Sequence, residues 1–508
     1  MAAEHFDVLI IGAGLSGVGA GYHLKTKCPT KNFVILEGRD AIGGTWDLFR
    51  YPGIRSDSDM FTLGYSFKPW TDPKAIADGP RILNYVVETA AENGIDKKIR
   101  FRHRVKRASW STTDGRWTVE AERTTGEGAT EAVSFTCNFL FSCAGYYRYE
   151  SGYTPEFAGS ADFAGRIIHP QHWPKDLDYV GKRVVVIGSG ATAVTLVPEM
   201  ARTAGHVTML QRSPTYVVSR PAQDPLANKL RRNLSPHLAY QLIRWRNVLF
   251  GMYFFQLSRR KPARVKDLIL KGVRMALGPD YDIATHFTPR YNPWDQRLCL
   301  VPDGDLFKAI RDGRASVVTD RIVTFTEQGL RLESGAELEA DLVVTATGLQ
   351  MLPLGGAQLT VDDRPVRLPE TMAYKGMMLS GVPNFAFTIG YTNASWTLKA
   401  DLVSEFTCRL LAYMDSHGYG TCVPVNDPNV AERPFVDFSA GYVLRSIDEL
   451  PRSGSRAPWR LRMSYPYDVV TLRYGKINDG TMRFSRLPRA QAPPEAAGVT
   501  TSSRPGPG

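Results

Sequence analysis

The stretch Phe6-Asp-Val-Leu-Ile-Ile-Gly12-Ala-Gly14-Leu-Ser-Gly17 decides the fold. Its first half is an aliphatic run of the kind that forms a strand buried on both faces of a parallel sheet. Its second half is a glycine turn leading into a helical stretch with Tyr22, His23 and Leu24. Gly12 allows the tight turn, Gly14 lets backbone approach a pyrophosphate, and Gly17 lets the helix pack against the strand. The helix N-terminus then faces the phosphates. A second strand, Phe33-Val-Ile-Leu, ends in Glu37, an acid placed to accept hydrogen bonds from a ribose.

The pattern recurs. Lys182-Arg-Val-Val-Val-Ile leads into Gly188-Ser-Gly190-Ala-Thr-Ala193, with alanine small enough for close packing at the third position. The strand Val207-Thr-Met-Leu-Gln ends in Arg212-Ser213. Glu37 lies 25 residues after Gly12, and Arg212 lies 24 after Gly188, so a cation replaces the acid. An acid repels a 2′-phosphate, whereas arginine hydrogen-bonds it in a bidentate manner. The first site is therefore expected to hold FAD. The second is expected to prefer NADPH over NADH, with Arg212 and Ser213 as binding residues. The bland alternative for Arg212 is a surface charge at a strand end. Two such sites narrow the class to flavoprotein reductases, oxidases and monooxygenases; a disulfide reductase would also need a dithiol.

Composition agrees with a globular enzyme. The chain has 508 residues, 43% hydrophobic and 22% charged, enough for two or three domains. Its six cysteines are scattered with no C-x-x-C pair, which argues against a metal site, a dithiol centre or a disulfide framework. No apolar leader precedes Phe6 and no uncharged apolar run approaches eighteen residues. Neither a signal peptide nor a transmembrane helix is expected, and a cytoplasmic protein is the default. The net charge of +11 is local: of 62 basic and 51 acidic residues, twelve and one fall between 229 and 274, and the rest of the chain balances. Leu242, Trp245, Leu249 and Met252 recur there at helical spacing, which predicts an amphipathic helix. One reading is a helical insert packed on its own enzyme with a solvated basic face. The other is peripheral contact with an anionic membrane. Nucleic-acid binding is disfavoured, because no recognition module surrounds the patch.

Between the two glycine motifs stands Phe163-Ala-Gly165-Arg-Ile-Ile-His169-Pro-Gln-His-Trp173-Pro174. Its spacing, F-x-G-x-x-x-H-x-x-x-W-P, resembles the fingerprint of type I Baeyer–Villiger monooxygenases in the flavin-containing monooxygenase superfamily. The resemblance covers nearly the whole chain and extends to Gly43-Gly44-Thr45-Trp46 and to Arg50-Tyr-Pro-Gly-Ile-Arg-Ser-Asp57-Ser-Asp59. Asn393-Ala-Ser-Trp-Thr-Leu-Lys399 is closest to the subgroup containing the ethionamide-activating monooxygenase. That subgroup implies oxidation of thioamide or sulfide sulfur as well as ketones.

The family implies an FAD- and NADPH-dependent enzyme that uses O2 to convert a ketone to an ester or lactone. Gly44, Thr45, Trp46 and Asp57 would contact the flavin, although Trp46 is equally readable as a core aromatic. Asp57, rather than Asp59, is the acid facing the flavin. Arg297, closing Tyr291-Asn-Pro-Trp-Asp-Gln296-Arg297, is the active-site cation. Many relatives carry lysine just before this arginine, and Gln296 departs from that. A permanent cation stabilises the peroxide anion formed from reduced flavin and O2, and the oxyanion formed on addition to a carbonyl. The alternative for Arg297 and Asp57 is an ordinary salt bridge. His169 and Trp173, with Phe163 and Gly165, are read as a linker that positions domains rather than as acid/base groups. The rival functions are oxidation chiefly of sulfur or nitrogen, and a reductase or oxidase without oxygen insertion.

The expected fold is α/β, with two Rossmann-like dinucleotide-binding domains, the second inserted in the first, and a helical insert. Phe139-Leu-Phe-Ser-Cys-Ala-Gly145 and Leu342-Val-Val-Thr345-Ala-Thr-Gly348 read as the exit and return. The FAD domain is placed at 1–148 and 340–487, and the NADPH domain at 149–339 with the basic insert at about 225–285. A Pro/Ala/Gly/Ser-rich tail, 488–508, is expected to be disordered.

Overall fold

The computed structural model describes residues 3–126, 128–436 and 441–487; the expected tail from Pro488 lies outside them. The strand Glu4–Ile11 pairs in parallel with Phe33–Leu36 on one side and Thr130–Ser142 on the other. It is the centre of a nine-stranded sheet. A three-stranded antiparallel meander, His103–Ser111, Arg116–Thr124 and Thr130–Ser142, extends that sheet. Gln358–Val361 and Phe385–Phe387 return to it after the second unit. The helix Leu15–Lys27 lies between this sheet and the 22-residue helix Trp396–His417. Both helices are buried over much of their circumference, which is why neither shows a simple amphipathic stripe.

The second unit is a five-stranded parallel sheet in the order Ala315–Thr319, His206–Gln211, Arg183–Ile187, Leu342–Thr345, Arg166–Ile168. Its sequence lies between strands of the first sheet, so the second Rossmann-like unit is inserted in the first. One boundary differs from the sequence reading. Leu342–Thr345 pairs with Arg183–Ile187 and Arg166–Ile168, so the second sheet runs past residue 339 and the return crossing follows Thr345. All four residues of that strand are buried. A run so apolar needs a neighbour on each edge, and the second sheet supplies both.

The basic segment forms three helices, Pro225–Asn233, Pro236–Arg260 and Pro262–Leu277. The first two pack on the chain's own first unit, where Ala227, Ala239, Tyr240, Ile243 and Val248 join its core, whereas Val273 and Leu277 of the third join the core of the second unit. Tyr240 donates to the Tyr65 carbonyl at 2.9 Å. Buried Arg244 donates to the carbonyls of Phe61 (2.9 Å) and Gly64 (2.8 Å) and lies 3.7 Å from Asp401. The expected apolar stripe is corrected here. Leu242 and Leu249 are 47% and 55% exposed, and the face turned inward is that of Tyr240, Ile243, Arg244 and Val248. The helix carries apolar residues on two sides, and spacing alone does not say which side is buried. No helix among the described residues is long and apolar enough to cross a membrane.

Candidate active site

A cavity of about 1330 Å³ lies between the two units. That exceeds the usual range for a single small-molecule site, about 300–1,000 Å³. It gathers Gly12, Gly14, Glu37, Gly44, Thr45, Trp46 and Asp57 from the first unit. From the second it gathers Gly188, Gly190, Arg212, Ser213, Gln296 and Arg297.

Two helix N-termini open on this cavity. Gly14 precedes Leu15–Lys27 and Gly190 precedes Ala191–Met200, and neither helix start is capped by a side chain. Their first N–H groups are therefore free to bind anions. A Cβ at Gly14 would touch only Gly44, at 3.6 Å, and one at Gly190 would meet nothing within 4 Å, so both turns leave room for a phosphate. Gly17 and Ala193 do not line the cavity. A Cβ at Gly17 would stand 1.8 Å from the Gly12 carbonyl oxygen, so only glycine lets the helix approach the turn. Ala193 is fully buried behind the second turn.

Glu37 does more than face the cavity. One carboxylate oxygen accepts from the Ala13 N–H at 2.7 Å and the other from the Arg39 N–H at 2.9 Å, so the acid also holds the glycine turn. Burial raises its pKa above the usual carboxylate range, and the two backbone donors partly offset this. Arg212 and Ser213 stand exposed at the end of His206–Gln211, and Arg212 makes no ion pair among the described residues. Trp46 lines the cavity and also packs against the first unit's core, so both readings of it describe part of its surface.

Arg297 and Asp57 meet where the units face each other. Arg297 Nη2 donates to Asp57 Oδ1 at 2.9 Å, and Nε lies 2.7 Å from Oδ2. This is the bidentate fork that fixes a guanidinium in plane. The side chains are 35% and 27% exposed, so part of the cation is open to the cavity. Asp57 raises the already high pKa of Arg297, which stays charged at any working pH. Asp59 is used elsewhere: it caps Met60–Leu63 by accepting from the Thr62 N–H at 3.1 Å.

Around the guanidinium stand three tyrosines that the sequence reading missed. The Tyr146 and Tyr147 hydroxyls are 2.7 Å apart, and Tyr146 stacks on Trp396 with ring centroids 5.1 Å apart. Tyr442 joins them from the far side of the chain. Burial raises the pKa of all three tyrosines, which stay neutral. The available signal was position: Tyr146-Tyr147 directly follow the Cys143-Ala-Gly145 exit.

The fingerprint residues lie outside the cavity. His169 Nε2 donates to the Gly348 carbonyl at 3.1 Å, and its Nδ1 accepts from the Gln171 N–H at 3.2 Å. Its ring fills the space where a Cβ on Gly152 would sit. Phe163 packs against Phe325, and Gly165 lies against Phe163 and the Asp341 carbonyl. Trp173 packs on Tyr179 and the second unit's core.

A family model described as flavin-binding monooxygenase-like matches residues 62–238, and an NAD(P)-binding Rossmann-like domain model matches residues 10–71. FAD-containing monooxygenase EthA of Mycobacterium tuberculosis (strain ATCC 25618 / H37Rv) is 59% identical over 488 residues, 96% of this chain and 99% of that protein. The chain belongs to the flavin-binding monooxygenase-like family. Probable FAD-binding monooxygenase AlmA of an Acinetobacter species, 48% identical over 95% of this chain and 97% of its own length, is a further relative. Among solved structures, an oxidised steroid monooxygenase bound to NADP superposes with a TM-score of 0.73 at 22% identity, covering 95% of this chain and 100% of that one. Cyclohexanone monooxygenase from Rhodococcus sp. Phi1 bound to NADP+ gives 0.69 at 20% identity, over 84% and 87%. These structures share the two-domain fold. As a member of the family the chain is a flavin-dependent monooxygenase, and the two open turns on one cavity fit a flavin dinucleotide and a nicotinamide dinucleotide side by side.

Proposed function

We propose that this chain is an FAD- and NADPH-dependent, cytoplasmic monooxygenase that inserts one atom of O2 beside a ketone carbonyl, giving an ester or lactone, and oxidises sulfides at the same site. The observation that carries the reading is the bidentate Arg297–Asp57 pair, partly open to a cavity shared by both phosphate cradles. FAD at the Gly12–Gly17 turn would supply the reaction with O2, and NADPH at Gly188–Ala193 the reducing equivalents.

The chain's own residues bind, orient and stabilise charge. Arg212 and Ser213 hold the 2′-phosphate, and Glu37 fixes both the glycine turn and a ribose. Arg297 offers a fixed positive charge where negative charge develops on oxygen, at a site already organised before reaction. Asp57 holds the guanidinium in place and keeps the local charge near zero. Tyr146, Tyr147, Tyr442 and Trp396 exclude water around it and present an apolar wall to the substrate. His169, hydrogen-bonded through both ring nitrogens, joins the returning segment at Gly348 to the linker and acts as a positioning residue.

The test is to incubate the FAD-loaded protein with NADPH, O2 and a panel of ketones and sulfides, and to measure oxygenated product per NADPH consumed. Ester near one-to-one supports the proposal. Sulfoxide without ester reassigns the enzyme to soft-atom oxidation. Hydrogen peroxide alone with every substrate makes it an oxidase.

A further inference from the structure

Trp396 lines the reaction cavity and is half-buried, yet its ring is fixed from several sides. Its indole N–H donates to the Ser16 hydroxyl at 2.7 Å. Ser16 is buried in the first turn of the helix that starts at the first phosphate cradle. The ring stacks on Tyr146, with centroids 5.1 Å apart and planes 19° from parallel. Tyr146 is itself one of the tyrosines beside the Arg297 guanidinium. The indole also presses on Gly390, where a Cβ would stand 2.5 Å from Cε3 and 2.7 Å from Cδ2. Any larger residue at 390 would displace the ring.

The backbone on either side is held as well. Trp396 is the first residue of the helix Trp396–His417, with Ser395 at the N-cap. A serine there ordinarily turns its hydroxyl back to cap its own helix, and this one does not. The Ser395 hydroxyl lies 2.6 Å from that of Thr62, which donates on to Asp59 at 3.0 Å. On the other side, the buried Thr397 hydroxyl donates to the Leu63 carbonyl. Both neighbours of the indole therefore direct their hydroxyls to the 59–63 turn. A ring bonded at its edge, stacked on a neighbour and backed by glycine has no alternative rotamer to adopt.

Trp396 thus reaches from the first phosphate cradle, through Ser16, to the surroundings of Arg297, through Tyr146. A substrate placed between the two lies alongside this indole. A rigid plane on one side of a reacting atom excludes the larger substituent from that side and so fixes its orientation. We propose that Trp396 is a specificity-determining residue: its fixed indole selects which of two mirror-related positions of a prochiral ketone or sulfide receives oxygen. This rests on the oxygenation reading for the reaction, and on the fixed ring for the selectivity. Trp396 moves no proton and carries no charge in this role.

The test gives the FAD-loaded enzyme NADPH, O2 and two prochiral substrates, 4-methylcyclohexanone and methyl phenyl sulfide, and reads the ratio of product enantiomers. That ratio does not depend on how much enzyme is folded, so a loss of stability alone does not move it. One small group against a shaped wall is worth about tenfold or more in kcat/KM, so the wild type should favour one enantiomer by at least about tenfold. Trp396→Ala, which removes the wall, should bring the excess to about threefold or less. Trp396→Phe keeps a ring for Tyr146 but loses the bond to Ser16, and should fall between. Gly390→Ala leaves the indole in the chain but displaces it, and should shift the ratio too. Binding of the two enantiomers of methyl phenyl sulfoxide to the oxidised enzyme, followed by flavin absorbance, needs no turnover. A preference for one is expected in the wild type and lost in Trp396→Ala. Near-racemic product from the wild type, or a ratio unmoved in both Trp396→Ala and Gly390→Ala, overturns the proposal. Selective sulfoxide without lactone removes the ketone reading and leaves the proposal standing. If nothing is oxygenated but the binding preference is lost in both variants, the oxygenation reading fails and the shaping role of Trp396 stands. An enzyme that neither oxygenates a substrate nor distinguishes the sulfoxides overturns both.

Discussion

Arg212→Ala separates cofactor choice from every other property of the enzyme. Arg212 ends its strand exposed, lines the cavity beside the second glycine turn and makes no ion pair among the described residues. Removing it strands no buried acid, so the loss measured is that of its contact with the 2′-phosphate and little else. Charge-assisted hydrogen bonds contribute about 1.5–3 kcal/mol. At about 1.4 kcal/mol per factor of ten, this predicts a fall in kcat/KM for NADPH of roughly 10- to 150-fold. NADH carries an uncharged hydroxyl instead of the phosphate at that position, and its kcat/KM should stay within about twofold. The assay follows nicotinamide absorbance in steady state with each cofactor at saturating ketone, together with Tm and the flavin-to-protein ratio, which should not move. Equal losses with NADPH and NADH would refute the reasoning, because Arg212 would then support the domain rather than read the phosphate. A wild-type enzyme that prefers NADH would refute it sooner.

Four further outcomes follow from the geometry. Arg297→Ala should leave NADPH-driven flavin reduction within a few-fold while abolishing oxygenated product, as read by stopped-flow absorbance against product analysis; retained ester formation removes Arg297 from the reaction. Gly17→Ala puts a Cβ 1.8 Å from the Gly12 carbonyl oxygen, so the purified protein should carry little flavin, measured as the ratio of flavin to protein absorbance. Arg244→Leu removes a buried cation from three backbone carbonyls and from Asp401, and should destabilise the protein by about 3–5 kcal/mol in denaturant unfolding. Burial lowers the pKa of His169 below its ordinary 6.5. The unfolded chain therefore binds its proton first, and stability is full above pH 6.5 and falls as pH drops below it. One such group contributes a slope of at most about 1.4 kcal/mol per pH unit, and His169→Gln should flatten the fall in Tm over that window.

The parts of this molecule legible in the sequence are those written in short range. Both glycine turns, the strands before them and the acid or cation after them lie within about thirty residues, and local spacing dictates their geometry. The Arg297–Asp57 contact spans 240 residues, and nothing in composition or periodicity brings its partners together; only the family resemblance did. The domain border placed at 339/340 fell short of Leu342–Thr345, because an apolar strand says that it is buried but not in which sheet. The helix Pro236–Arg260 misled for a related reason: with apolar residues on both sides, period fixes the element and packing fixes the face. Tyr146, Tyr147 and Tyr442 carried no motif, since they act through where two segments far apart in sequence converge.

The stretch Phe49–Asp57 explains how the two units make one site. It belongs by sequence to the first unit, yet Phe49 and Tyr51 are buried in the core of the second. Gly53 sits at φ 74°, where a Cβ would press on Glu199 and on the Thr195 carbonyl of the helix that starts at the second phosphate turn. Arg55 crosses to Asp305 at 2.5 Å, and two residues later Asp57 crosses to Arg297. The chain thus enters the second unit as a wedge: apolar anchors first, then glycine at closest approach, then two ion pairs. Partly exposed ion pairs contribute little to stability, so the aromatic anchors hold the wedge and the ion pairs set the orientation of what they hold. Arg297 is in this way positioned by the docking of the two nucleotide-binding units, and the cation proposed to stabilise oxyanions stands against Asp57 because both cradles face the same cavity.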